Sequence, residues 1–390
     1  MEKMQKMMRL VSAALILVLM CACGAKSQVI DSSTAPVTES RTADSSAAPP
    51  ESADEPAEPL PEESLPAEPL PTEPVYPLPE EAEKQETRLF TFQPKVCSVY
   101  HEEVFGKTMC ETWFNLVDAV MAGEDTFACP DQHTYDWVMG QFPETCFPVL
   151  VGLIDYAWDR ENSVIDGVAS FTYLKPYEEV SARISAFAEQ IEGILNDALK
   201  YDYSDFEKML ALYEYFASHY EYDYEAADRM NVEYVDTITA INFFETGTGV
   251  CQQIAIAYSY LLMQAGVEAT TMGGNRSWDE AGHEWSYVRL GGRNYHIDPT
   301  FGLGNGYLDY FLMTDDQREA MDSYLRSRYR ITSNYSEDHP HPDYTADDET
   351  FSPLWGSVYR EFDHEAQMLE YWKFDENGQY TIYYFDYSGY

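Results

Sequence analysis

From about Ser27 to Arg88 the chain is built mostly of Pro, Glu, Ser and Ala, with the near-repeat Pro56-Ala57-Glu58-Pro59-Leu60-Pro61 and Pro66-Ala67-Glu68-Pro69-Leu70-Pro71. Such a stretch cannot bury enough apolar surface to offset its chain entropy, so it is expected to be disordered. Proline favours extended polyproline II and the clustered carboxylates repel one another. At about 3.1 Å per residue its upper reach is roughly 180 Å, the length of a stalk. A proline-motif docking segment is the alternative. Folded sequence is therefore expected from about Leu89 to Tyr390.

The segment before the stalk reads as an address. Lys3, Lys6 and Arg9 form a basic start, and Leu10 to Met20 is an apolar run of signal-peptide length, too short to span a bilayer as a stable anchor. It ends in Met20-Cys21-Ala22-Cys23-Gly24, which resembles a bacterial lipobox. Ala22 before Cys23 fits that pattern better than Met20 before Cys21, so Cys23 is the expected lipidation site. The rival is an ordinary secretory signal cut nearby. Residues 1–23 are thus expected to be a lipoprotein signal peptide and 24–88 a linker. The location is expected to be extracytoplasmic, lipid-anchored to the bacterial cell membrane.

Lys and Arg total 24 against 68 Asp and Glu, a formal net charge of −44. A chain of that charge is repelled by nucleic acid and by anionic lipid headgroups, so neither is expected to bind through a basic patch. Its 31 Tyr suffice for core and sheet packing. A sugar-stacking surface is the sharper reading of the same residues.

With Cys21 and Cys23 set aside, Cys97, Cys110, Cys129 and Cys146 fall close together and could pair in three ways in an oxidising compartment. Cys251 is the odd one in number, far along the chain. Its retention suggests use, although a buried Cys also persists as a small apolar side chain.

Residues 89–202 read as helices mixed with short strands. Val180, Ile184, Phe187, Ile191 and Leu195 recur at helical steps and predict an amphipathic helix over Tyr177–Lys200. Ser204 with Glu207 forms a capping box, followed by the stripe Phe206, Leu210, Tyr213, Ala217. Val250 to Ala265 is a nearly all-apolar helix ending at Gly266, hence buried. A strand at Ala269–Met272, a polar loop and two strands joined by Gly291-Gly292 follow. Near the C-terminus, Met368–Phe374 and Tyr380–Phe385 make a hairpin turning at Asn377-Gly378.

Cys251 opens the apolar helix, where unpaired amides and the helix dipole favour a thiolate and could hold an oxyanion. Gly247 and Gly249 would let a substrate backbone approach. If Gly291-Gly292 is a two-residue turn, Leu290 pairs with Arg293 and Trp285 with Asp298. His283 then shares a face with Asp298 as a diagonal neighbour, about 7–8 Å away at the backbone. A one-residue slip would part them. In this geometry Asp298 orients His283, and His283 serves Cys251 as base and then acid.

These residues also carry a family pattern: Gly249-Val250-Cys251, then His283-Glu284-Trp285, then Tyr295-His296-Ile297-Asp298-Pro299-Thr300-Phe301. The pattern resembles the transglutaminase-like superfamily over about Tyr203 to Thr314. The resemblance implies an α+β fold whose papain-like/transglutaminase-like core packs a Cys-bearing helix on an antiparallel sheet, with an α-rich N-terminal extension. It implies Cys251 as nucleophile, His283 as general base and Asp298 as orienting acid. Members usually complete the oxyanion hole from upstream, and Tyr222 is the candidate donor. The expected organisation is an N-terminal region over 89–202, a catalytic core over 203–320 and a C-terminal extension over 321–390.

His296, further along the hairpin opposite Tyr287, ranks behind His283. His339-Pro340-His341-Pro342-Asp343 reads as a solvated loop rather than a metal site, and no cofactor is implied. The implied activity is thiol acyl transfer at amides of a protein or cell-wall peptide, with membrane contact through the lipid anchor. Water as acceptor makes a peptidase or amidase, and a lysine amine makes a transglutaminase. A non-catalytic binding or scaffold module is the alternative.

Overall fold

A computed structural model describes residues 89–155, 163–230, 237–276, 282–321, 329–332 and 344–390. The lipobox with Cys23, the Pro/Glu/Ser-rich stretch and the His339–His341 loop lie outside the described residues. Among the described residues no helix is long and apolar enough to cross a membrane.

Ten helices and fourteen strands serve for orientation among the described residues. The first region holds α1 (Val99–Phe105), α2 (Lys107–Ala122), β1 (Thr126–Ala128), α3 (Gln132–Cys146), β2 (Ile154–Asp155), β3 (Val164–Ile165), β4 (Val168–Ser170), β5 (Thr172–Tyr173) and α4 (Tyr177–Ala198). Next come α5 (Asp205–His219), β6 (Glu221–Tyr222), α6 (Tyr224–Met230), α7 (Ala240–Thr246), β7 (Thr248–Gly249) and α8 (Cys251–Gln264). The central sheet follows as β8 (Ala269–Arg276), β9 (Gly282–Leu290) and β10 (Arg293–Ile297), then α9 (Pro299–Gly302), α10 (Asp315–Ala320) and β11 (Tyr329–Thr332). The chain closes with β12 (Val358–Asp363), β13 (Met368–Phe374) and β14 (Tyr380–Asp386). The order in the central antiparallel sheet is β10-β9-β8-β11, and β12-β13-β14 form a separate antiparallel sheet. The fold is α+β.

Local rules explain the helix ends. Ser204 accepts from the Glu207 amide at 3.3 Å and Glu207 accepts from the Ser204 amide at 2.7 Å, a complete capping box at the start of α5. Gly266, at φ +83°, follows α8 in the left-handed region that a side chain disfavours. The amphipathic stripe of α4 buries Val180, Ile184, Phe187, Ile191 and Leu195 as its period requires.

One hydrophobic core runs from Phe90 to Tyr387 and takes in α4, α5 and α8. Polar ties lock the first region to the Cys-bearing helix and sheet. Gln264 accepts from the Gln93 amide at 2.9 Å and donates to the Gln93 carbonyl at 2.7 Å. The Ser98 hydroxyl donates to the Ala269 carbonyl at 2.6 Å. The C-terminus is tied down through Phe206, which stacks on Tyr387 at 4.8 Å, and through Glu207, which accepts from the Tyr387 hydroxyl at 2.8 Å.

Of the four clustered cysteines only one pair is bridged, Cys97–Cys110. Cys129 and Cys146 are buried thiols, each pushed up to about 11 by burial. They sit in the core as small apolar side chains rather than as a second bridge.

Candidate functional site

The turn at Gly291-Gly292 sets the register of the central hairpin. Both glycines have positive φ, +58° and +76°, as a type I′ turn needs. Leu290 pairs with Arg293 and the ladder runs to Ser286 opposite Ile297, which places Asp298 next along, beside Trp285. His283 Nε2 lies 2.7 Å from Asp298 Oδ2, with both side chains buried. The carboxylate can only accept, so Nε2 carries the hydrogen and Nδ1 is the ring nitrogen turned to other chemistry. Across the next ladder Gly274 lies directly opposite His283 and contributes no side chain on that flank.

Asp298 is fully buried and carries a second partner, which the sequence did not announce. Arg318 of α10, itself fully buried, places Nη2 3.2 Å from the same Oδ2. Burial alone would raise the Asp298 carboxyl, but His283 and then Arg318 outweigh it and hold it below the usual carboxylate range. The Arg318 guanidinium also lies over the Trp285 ring, 4.2 Å from its centroid.

Trp285 is in turn fixed by His296. Its indole N–H donates to His296 Nδ1 at 2.8 Å, so His296 carries its hydrogen on Nε2 and donates to Asp315 Oδ1 at 2.9 Å. Burial lowers the His296 pKa, which keeps the ring neutral. His296 therefore props the wall behind the His283–Asp298 pair.

Cys251 is buried at the first position of α8. Its N-cap is Val250, whose side chain cannot accept hydrogen bonds, so the first-turn amides are not capped by it. Gln253 shapes this start from within. Its Oε1 accepts from the Val250 amide at 3.1 Å, while Nε2 donates to the carbonyls of Thr237 and Thr239 at 3.3 and 2.9 Å. Gly249 is required by packing: a Cβ there would stand 2.7 Å from Phe243 Cδ2 and 3.0 Å from Gln253 Oε1. Gly247 has a local reason too, ending α7 at φ +74°.

The helix lies along β9 in a fixed direction. Ser286 donates to the Ala255 carbonyl at 3.1 Å and Ser259 to the Thr270 carbonyl at 2.9 Å, with the two hydroxyl oxygens 2.9 Å apart. Since Ala269 pairs with Val288, the C-terminal end of α8 meets the end of β9 and its start meets the beginning of β9. Cys251, one turn before Ala255, and His283, three positions before Ser286, therefore lie toward the same end.

Tyr222 sits on β6, paired in parallel with β7 so that it faces Gly249, two residues before Cys251. Its ring contacts Tyr224 at 4.9 Å and packs against the small cluster of Ala226, Ala227, Met230, Ile238 and Val250. Gln252, the residue after Cys251, has an enclosed Oε1 with no hydrogen-bond partner among the described residues. Arg318 and Gln253 are the supporting residues that sequence reasoning missed. The position of Gln253 three residues into a helix capped by an apolar residue was the one local signal for its part.

Residues 189–299 match the family described as the transglutaminase-like superfamily. No curated protein matches the chain. Among solved structures, a TGase crystal structure shares 19% identity at a TM-score of 0.27, over 42% of this chain and 38% of that one. A proposed cysteine protease from Cytophaga hutchinsonii shares 16% identity at a TM-score of 0.21, over 35% of this chain and 47% of that one. The chain thus spans less than half the length of either, and at these scores the family match alone carries weight. Together with the Cys-bearing helix laid along an antiparallel sheet, it identifies residues 189–299 as a transglutaminase-like domain.

Proposed function

We propose that this protein is a thiol acyl-transfer enzyme acting on amide bonds of protein or cell-wall peptide. Cys251 is the nucleophile, His283 the general base and acid, and Asp298 the orienting carboxylate. The observation that carries the reading is the buried 2.7 Å hydrogen bond between His283 and Asp298 at the end of β9 toward which α8 presents Cys251.

The chemistry follows from those positions. Asp298, held ionised by His283 and Arg318, fixes the Nε2–H tautomer and leaves Nδ1 to take the thiol proton. Once the Cys251 sulfur is reduced, the start of α8 favours the thiolate through the helix dipole. The thiolate attacks the amide carbon, and the amides at the helix start stabilise the oxyanion, with Tyr222 as the supplementary donor. His283 returns its proton to the leaving amine as the C–N bond breaks, and a thioester remains. Water or a second amine, deprotonated by His283, then takes the acyl group and releases the thiol. Anchoring through a lipid on Cys23 would place this site outside the cell, within reach of surface proteins and wall peptides.

The test is alkylation of Cys251 by iodoacetamide after reduction, followed from low to neutral pH in wild type and His283→Ala. Fast labelling at low pH that collapses in the variant is the expected result. Slow labelling that rises only in alkali and ignores the substitution would sink the enzyme reading in favour of a scaffold. Glutamine peptides release ammonia on acylation in either case, so conversion to glutamate against incorporation of a fluorescent amine then separates hydrolysis from amine transfer.

A further inference from the structure

The C-terminal sheet presents an aromatic face that the thiol chemistry does not use. Along β13 and β14 the register sets Glu370 opposite Tyr384, Trp372 opposite Ile382 and Phe374 opposite Tyr380. Directly opposed residues share a face, so these six side chains lie on one side. The other side turns Leu369, Tyr371 and Phe385 to the core. On the outer side Phe374, Tyr380, Ile382 and Tyr384 are 52%, 57%, 39% and 62% exposed. Trp372 stacks on Tyr380 with centroids 4.9 Å apart and planes at 26°, and the Arg360 guanidinium covers Trp372 while pairing with Glu370. Contiguous exposed apolar surface of this kind marks a contact site rather than a solvated wall.

A groove of about 660 Å³ opens from the same face. It shares Glu370 and Tyr384 with the aromatic row and adds Met368, Tyr203, Glu361 and His364. The groove lies far from Cys251. Tyr203 stands just before α5, whereas Glu221 and Tyr222, just after α5, pair with Thr248 and Gly249 beside Cys251. The 15 residues of α5 separate the two places by about 22 Å at 1.5 Å per residue.

We propose that this face and groove form a binding site for an uncharged polysaccharide strand, with sugar rings stacked on Tyr384 and on the outer face of Tyr380 and hydroxyls bonded in the groove. The C–H faces of a pyranose are weakly electropositive and match the negative face of an aromatic ring. Tyr380 and Tyr384, four positions apart on β14, stand about 13 Å apart, so one extended chain of several sugars can meet both rings. The groove mixes an acceptor (Glu361) with donors (Lys200, Tyr203), which suits a ligand rich in hydroxyls. The net charge of −44 opposes nucleic acid, anionic polymers and a second copy of this chain alike. The site is independent of the thiol reading and would tether the protein to a glycan near its peptide substrate.

The test uses the full chain with chitohexaose, cellohexaose and laminarihexaose, read by tryptophan quenching and calorimetry. Binding to at least one glycan is expected. It should fall tenfold or more in Tyr380→Ala/Tyr384→Ala, persist in Tyr380→Phe/Tyr384→Phe and persist in Cys251→Ala. Tyr380 and Tyr384 are exposed, so the double variant should fold, and circular dichroism checks that. The proposal is overturned if no glycan binds with a Kd below about 5 mM, if the alanine pair leaves binding intact, or if that pair instead abolishes a self-association seen by sedimentation.

Discussion

Gly249→Ala tests whether the loop before Cys251 is set by packing. The backbone there needs no positive φ, so alanine is conformationally admissible and only space decides the outcome. The new methyl would stand 2.7 Å from Phe243 Cδ2, and about 0.7 Å of movement is needed to reach ordinary contact near 3.4 Å. Phe243 cannot yield easily, being fully buried with Tyr220 at 4.6 Å and Phe216 at 5.9 Å. The second obstacle, Gln253 Oε1 at 3.0 Å, is engaged by the Val250 amide. Overpacking costs about 1–3 kcal/mol, and a displaced Gln253 bond costs roughly 1 kcal/mol more. Against this, alanine restricts the unfolded chain and returns about 0.4–1 kcal/mol. The net loss is about 2 kcal/mol, a fall in Tm of roughly 3 °C for a folded part of about 300 residues at about 2.1 cal/mol/K per residue. Calorimetry measures it, and a cycle with Phe243→Leu isolates the clash, since the second substitution should restore most of the loss. An unchanged Tm, or a loss indifferent to Phe243→Leu, would refute the packing argument.

Two further outcomes follow from buried charges. Glu144 accepts from the Ala240 amide at 2.6 Å, and its enclosed carboxyl is raised to about 7 by burial, partly offset by that amide and reinforced by Glu284. Between about 4.5, the ordinary value, and about 7 the folded state holds a proton that the unfolded chain has lost. Stability from this group is therefore complete below that window and is lost as pH rises through it, by at most roughly 3 kcal/mol. Glu144→Gln should flatten the fall in Tm between pH 5 and 8, and an unaltered slope would count against the assignment. Arg318→Met removes the cation from a fully buried pair, a change that costs about 3–5 kcal/mol when one charge is stranded. Because Asp298 keeps its bond to His283, the loss should sit near the lower end in urea unfolding, and a loss under about 1 kcal/mol would contradict the pairing.

What the sequence determined by itself was everything governed by short-range rules. The capping box at Ser204 and Glu207, the stripe of α4 and the buried helix from Cys251 rest on periods of a few residues. The hairpin register rests on two glycines, and from it alone His283 and Asp298 could be placed on one face. Tertiary structure decided what no period encodes. Arg318 lies in Asp315-Asp316-Gln317-Arg318-Glu319-Ala320, a helix whose composition reads as solvated surface, yet it is fully buried against Asp298 and Trp285. His296 stood on the right strand face, but its neutrality follows from the indole and Asp315 that enclose it. Which two of four nearby cysteines meet depended on how α1 and α2 pack. The outer face of β13 and β14 reads in sequence as ordinary strand alternation, and only the packed sheet shows which aromatics remain in water. Local propensity acts over a turn of helix or a pair of strands, whereas burial of a charge or exposure of a ring is set by segments that meet only after the chain has folded.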